Sequence, residues 1–110
     1  MASYQIDVIN IKTTRGFGTQ PGDVYIGRTF GKYQGSPFAN PFKIGRDGDR
    51  NAVIAKYRTY LVSTGLVDRV PELLDRGPTI RLGCFCKPAA CHGDVLKEFL
   101  LKHIADKSAD

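Results

Sequence analysis

Short apolar runs typical of strands alternate along this chain with longer segments of helical periodicity, and this order limits the folds available to it. Residues 6–11 alternate and are β-branched, residues 23–28 form an apolar run halted by glycine, and residues 79–85 form a third run. Residues 49–64 and 93–106 carry apolar side chains at helical spacing. Strands separated by helices predict an α/β sandwich of two or three layers, with a mainly parallel, Rossmann-like sheet.

Two further segments are less regular. Residues 31–48 are rich in glycine, proline and aromatic side chains, which predicts a long loop that packs against the domain. Residues 66–76 predict a short helix, because Pro71 suits a first helical turn. At 110 residues the chain supports a single domain, residues 1–110, with a frayed tail at residues 107–110.

The sequence also disfavours several classes of protein. No apolar stretch approaches the roughly 18 residues that span a bilayer, so we expect no membrane partner. Residues 1–7 lack the basic and apolar regions of a signal peptide, which favours a cytoplasmic protein. Three cysteines are an odd number, which favours reduced thiols or metal ligands over a secreted disulfide scaffold.

The net charge of +5 comes from 16 basic and 11 acidic residues that are spread along the chain. Dispersed positive charge suits a phosphate-bearing small ligand. A nucleic-acid partner is compatible with it but is not favoured, because no block of basic residues marks a binding patch. The oligomeric state is left open.

Residues 84–92 hold all three cysteines and one of the two histidines, at the point where a predicted strand gives way to a helix. α/β proteins bind ligands at the carboxyl ends of parallel strands. A helix start offers unpaired backbone N–H groups and a positive dipole, and Gly93 would permit close approach of an anion. Lys87 and Arg28 would add charge, and Cys91 at the helix start would be partly thiolate.

A metal site is the alternative for this segment. Its ligands would be Cys84, Cys86, Cys91 and His92, and thiolate with imidazole suits zinc or iron. Four ligands within nine consecutive residues make a tetrahedron difficult, so we predict no metal or other cofactor. A structural interpretation is also open, with Cys84 as a small core residue, Cys86 and Cys91 as partly buried loop residues, and His92 as a helix N-cap or a hydrogen-bonded structural histidine. We favour this structural interpretation for Cys84 but not for Cys91 and His92 together.

Two segments upstream complete the predicted site. Gly27-Arg28 follows a strand, where an arginine can clamp a phosphate or form a surface ion pair. Ser36 and Asn40 each precede a proline, which extends the backbone before it and would present their side chains. Asn40 could contact a ligand or tie down its own loop, and we slightly favour the loop.

Five sequence motifs together resemble a known family. They are VYIGR at 24–28, GSPFANPF at 35–42, YRTYL at 57–61, LGCFCKP at 82–88 and CHGDVL at 91–96. Over about residues 23–105 they resemble the bacterial and phage family catalogued as domain of unknown function 4326, in which Phe85 is commonly tryptophan. The Cys-His element also resembles that of another uncharacterised family, domain of unknown function 488. The resemblance implies one shared site at Gly27, Arg28, Ser36, Asn40, Pro41, Cys86, Pro88, Cys91, His92 and Gly93.

The sequence therefore predicts a protein that binds a nucleotide or nucleotide derivative at the carboxyl ends of its strands. The predicted ligand-binding residues are Gly27, Arg28, Ser36, Asn40, Pro41, Cys86, Lys87, Pro88 and Gly93. Whether the protein is an enzyme is left open; if it is, Cys91 would be the nucleophile and His92 the general acid or base. The alternative is a metal-binding or nucleic-acid-associated accessory protein without turnover.

Overall fold

The computed structural model describes residues 4–85 and 89–108, which form three strands and three helices. In chain order these elements are β1 (Gln5–Asn10), β2 (Asp23–Tyr25), α1 (Arg50–Ser63), a 3₁₀ helix (Leu66–Arg76), β3 (Thr79–Cys84) and α2 (His92–Ser108). Each predicted strand and helix is present, with ends that differ by up to three residues from those predicted.

The three strands form one parallel sheet in the order β1-β3-β2. In the register of the sheet, Asn10 at the end of β1 lies opposite Cys84, and Tyr25 at the end of β2 lies opposite Gly83. The Ile26 N–H still donates to the Gly83 carbonyl at 3.0 Å before the chain turns away. The α/β class with a parallel sheet is confirmed, and all three strands end at the same edge.

The core lies between one face of the sheet and the helices. Alternate residues of β3, Ile80, Leu82 and Cys84, are buried on this face. α2 and the 3₁₀ helix both pack on the sheet, and α1 packs against both of them. α2 and the 3₁₀ helix therefore lie between the sheet and α1 or beside α1, on the same side of the sheet. On the opposite face, the ring of Phe17 lies against Gly83.

α1 begins and ends at the predicted signals. The Asp49 side chain caps its start by accepting a hydrogen bond from the Ala52 N–H at 2.8 Å. Gly65 follows the helix with a φ of 77°, a left-handed conformation that favours glycine. The buried face carries Val53, Tyr57 and Leu61 at helical spacing.

α2 runs to Ser108, two residues beyond the predicted end at residue 106. Val95, Leu96 and Leu100 bury its inner face. Residues 109–110 of the predicted tail lie outside the described residues. Within the described ranges, no helix is long and apolar enough to span a membrane.

Candidate functional site

A cleft of about 610 Å³ opens at the carboxyl ends of β2 and β3, beside the start of α2. Three segments that the sequence predicted to converge contribute to it, namely the turn after β2, the long loop and the segment between β3 and α2. The described lining residues are Tyr25, Gly27, Arg28, Thr29, Phe30, Asn40, Phe42, Lys43, Ile44, Arg50, Val53, Ile54, Cys84, Phe85, Ala90, Cys91 and His92.

Five predicted site residues, Gly27, Arg28, Asn40, Cys91 and His92, are in this lining. Cys86, Lys87 and Pro88 lie outside the described residues. Ser36, Pro41 and Gly93 are described but are not in the lining. Their roles in ligand binding stay predictions.

Asp94, in the first turn of α2, caps the start of this helix. The Asp94 carboxylate accepts a hydrogen bond from the Cys91 N–H at 3.0 Å, and the Asp94 N–H donates to the Cys91 carbonyl at 3.0 Å. This reciprocal pair resembles a capping box, with the acidic side chain three residues into the helix. The carboxylate already complements the helix dipole, so a ligand anion gains less from this helix start than an uncapped one would offer.

His92 ties the start of α2 to the end of β2. Its side chain is buried, and Nε2 lies 2.7 Å from the Ile26 carbonyl oxygen. Because a carbonyl only accepts, Nε2 carries a proton and donates it. The edge of the ring meets the ring of Tyr57, with centroids 5.0 Å apart. His92 therefore contacts both the end of β2 and α1.

Gly93 has a packing role in this structure. A Cβ atom at this position would lie 2.8 Å from both Val8 Cγ1 and Ile26 Cδ1. Gly93 therefore allows the start of α2 to approach the sheet closely.

Cys84 and Cys91 meet at the floor of the cleft. Both residues are 2% exposed, and their sulfur atoms are 3.3 Å apart. The expected core position of Cys84 is confirmed, whereas Cys91 is more deeply buried than a partly buried loop residue. Within the described chain no group of three or more His, Cys, Asp or Glu residues could hold a metal. Because Cys86 lies outside those residues, the zinc or iron alternative stays a prediction.

Arg28 fastens the long loop to the end of β2. Its Nε donates to the Asn40 carbonyl at 3.1 Å, and its Nη2 donates to the Phe42 carbonyl at 3.0 Å. These contacts use two of the five N–H groups of the guanidinium. The positive charge of Arg28 thus lies in the cleft wall while the side chain also supports the loop.

Ser36 and Asn40 also bond within the protein. Ser36 Oγ accepts from the Phe38 N–H at 3.0 Å. Asn40 Oδ1 accepts from the Phe42 N–H at 2.9 Å, while Nδ2 donates to the Val53 carbonyl at 3.3 Å. These contacts agree with the loop-tying role that the sequence slightly favoured for Asn40.

Two basic residues of the cleft were missed by the sequence interpretation. Arg50 lies in the first turn of α1 and donates from Nη1 to the Ala90 carbonyl at 2.9 Å. Lys43 is exposed in the long loop. A positive charge in a first helical turn interacts unfavourably with the helix dipole. The position of Arg50 at a predicted helix start therefore indicated a role other than stabilising that helix.

Aromatic rings form one side of the cleft. Phe85 meets Phe30 with centroids 5.0 Å apart and Tyr25 with centroids 6.1 Å apart. Phe30 is 57% exposed and Ile44 is 54% exposed, and both line the cleft, so each can contribute apolar surface to a bound ligand. Burial raises the pKa of Tyr25, so its hydroxyl stays protonated and donates to the Arg28 carbonyl.

The comparison with known families agrees with the resemblance inferred from the motifs. The family model described as "Domain of unknown function (DUF4326)" matches residues 9–102, which begins earlier than the predicted range. The uncharacterized protein R718 of Acanthamoeba polyphaga mimivirus is 34% identical over 101 residues, covering 81% of this chain and 75% of that protein. No solved structure matches the chain.

Proposed function

We propose that this chain, which belongs to the family described as Domain of unknown function (DUF4326), binds a nucleotide or nucleotide derivative in the cleft. The observation that carries the proposal is the charge of the lining. Arg28, Lys43 and Arg50 are basic, and none of the described lining residues is acidic. Such a concentration of one sign of charge in a concave site attracts an anionic ligand.

The phosphate would lie toward Lys43 and Arg50. Lys43 is exposed, and Arg50 holds the Ala90 carbonyl with one of its five N–H groups. Arginine and lysine bind phosphate through charge-assisted hydrogen bonds, which are stronger than neutral ones.

The aromatic side of the cleft would receive the nucleobase. Exposed Phe30 beside Phe85 offers a ring face, and Ile44 extends the apolar surface. Stacking of a base on an aromatic ring is worth about 1–3 kcal/mol. The volume of about 610 Å³ also lies within the range of small-molecule sites, which is about 300–1,000 Å³.

Catalysis is a further element of the proposal, with Cys91 as the nucleophile. Cys91 lines the floor of the cleft, where a bound ligand would reach it. Nε2 of His92 already donates a hydrogen bond to the Ile26 carbonyl. In this arrangement that nitrogen has a structural role and is not placed to transfer a proton to a ligand. If a reaction is found, Cys91→Ser is expected to abolish it, and unchanged turnover would show that Cys91 is not the nucleophile.

We also propose a cytoplasmic location, since a reducing compartment would maintain the thiols.

Calorimetric titration tests the binding proposal. We expect mono-, di- or cyclic nucleotides to bind and the matching nucleosides, which lack phosphate, to bind much more weakly. Lys43→Gln should weaken nucleotide binding about tenfold, equivalent to about 1.4 kcal/mol, because one charged contact is lost.

Lys102→Gln is the matched control for this charge change. Lys102 is exposed on α2, ten residues beyond His92 and therefore about 15 Å along the helix axis. This variant should bind as the unaltered protein does. Absence of binding to every nucleotide tested, or equal weakening by both variants, would refute the proposal.

A further inference from the structure

The Cys84 and Cys91 thiols are in direct contact. Their sulfur atoms are 3.3 Å apart, which is within hydrogen-bonding distance for thiols, and either sulfur could be the donor. A disulfide bond measures about 2.05 Å, so the atoms need to move about 1.25 Å closer to bond. Cys84 ends β3 and Cys91 immediately precedes α2, so the pair spans the segment that connects the sheet to this helix.

The pair is also placed where a small molecule can meet it. Although each residue is only 2% exposed, both line the cleft of about 610 Å³. Large molecules are excluded from such buried sulfurs, but a small ligand that enters the cleft reaches its floor. The basic side chains Arg28 and Arg50 in the same lining favour an anionic small molecule.

We propose that Cys84 and Cys91 form a reversible disulfide by exchange with a low-molecular-weight, anionic disulfide. The thiolate of one cysteine attacks a sulfur of the small disulfide, whose S–S bond breaks and releases one small thiol. The thiolate of the second cysteine attacks the resulting mixed disulfide and releases the other small thiol. The two protons lost by the cysteines are taken up by the released thiolates. The protein pair is oxidised by two electrons, and the small disulfide is reduced by two.

This chemistry does not depend on the proposed nucleotide. It requires only that the two sulfurs lie together and that a small disulfide can enter the cleft. Oxidation would join the end of β3 covalently to the start of α2 and change the floor of the cleft.

The variant Cys86→Ser provides a direct test, because it leaves Cys84 and Cys91 as the only cysteines of the chain. The folded, reduced variant is incubated with oxidised glutathione, denatured and alkylated, and its intact mass is measured. We expect a product with no alkylated thiol and no glutathione attached, and dithiothreitol should restore both alkylated thiols. Two thiols that remain alkylatable, or a glutathione adduct that never resolves, would overturn the proposal.

The matched comparison is Cys84→Ser, which retains Cys86 and Cys91. We expect its fraction of internal disulfide under the same conditions to be at least about tenfold lower. An equal fraction would assign the disulfide to Cys86 and Cys91 and would overturn the pairing proposed here. If Cys84→Ser does not fold, as judged by circular dichroism, the result for Cys86→Ser decides alone.

Discussion

At the scale of single residues, one ion pair fastens the loop before β2 to the sheet. Arg81 on β3 donates from Nε and Nη2 to the two carboxylate oxygens of Asp23, at 2.5 and 2.7 Å. Asp23 also accepts backbone N–H bonds from Gly18 and Gln20, and its side chain is 1% exposed. The hydrogen bonds from Arg81 lower the pKa of Asp23 from 3.8 to about 2. Asp23 is therefore a structural carboxylate.

We predict that Asp23 contributes stability that is lost in acid. Because its folded pKa lies below the unfolded value, the contribution is complete above about pH 5 and is lost as the pH falls toward 2. The shift corresponds to about 2 kcal/mol. In urea unfolding, the stability difference between the unaltered protein and Asp23→Asn should shrink over this pH range.

Asp75→Asn is the control, since Asp75 is an exposed residue of the 3₁₀ helix. We expect its free energy of unfolding at neutral pH to stay within about 0.5 kcal/mol of the unaltered protein. A pH-independent difference for Asp23→Asn would show that the ion pair does not determine the acid response.

At the scale of elements, the long loop between β2 and α1 owes its shape to side chains that hold its backbone. Arg28 binds two of its carbonyls from the end of β2, and Tyr57 of α1 donates to the Phe38 carbonyl at 2.5 Å. Burial raises the pKa of Tyr57, so this hydroxyl remains a donor. Asn40 adds a contact to the Val53 carbonyl. The loop is consequently a fixed wall of the cleft.

We predict that Asn40→Ala lowers the free energy of unfolding by about 1–3 kcal/mol. The substitution leaves the Phe42 N–H and the Val53 carbonyl without this partner in a largely buried place. Urea unfolding measures the loss, and limited proteolysis should show faster cleavage within residues 31–48.

Asn51→Ala makes the same chemical change on the exposed side of α1. Alanine favours helices, so this variant should be as stable as the unaltered protein or slightly more stable. Similar losses in the two variants would contradict the assigned role of Asn40.

Local signals determined most of the secondary structure, which is why the sequence predicted it well. Asp49 caps the start of α1, and Gly65, with its left-handed φ of 77°, directly follows the C-cap residue Thr64. The segment Leu66–Arg76 forms a 3₁₀ helix around Pro71, with Val70 and Leu73 buried. Its helical nature was predicted, but the placement of Pro71 in a first turn was wrong, because the helix begins at Leu66 and Pro71 lies within it.

At the scale of the whole molecule, the place of the cleft follows from topology. Three parallel strands end at one edge, so the segments that follow β2 and β3 must lie near each other. Which side chains face the cleft does not follow from topology. Ser36 and Asn40 bond to nearby backbone of the long loop, and Gly93 packs on the sheet because α2 begins directly beside it.

The cationic side of the cleft also depends on tertiary structure. Arg50 and Lys43 enter the lining from α1 and the long loop, far in sequence from residues 84–92. A single sequence shows their charge but not the fold that brings them to the cysteine segment. The exposed Phe30 is a similar case, because only the fold shows that it packs against Phe85 on one side of the cleft.

A nuclear magnetic resonance titration of the labelled protein with a nucleotide tests the central claim most directly. We predict that the amide signals that shift most belong to residues 27–30, 42–44 and 90–92, which border the cleft. The matching nucleoside should leave residues 42–44 largely unchanged, because the phosphate would lie beside Lys43. Saturating shifts confined to the 3₁₀ helix or the outer face of α2, or no shift at millimolar nucleotide, would contradict the account.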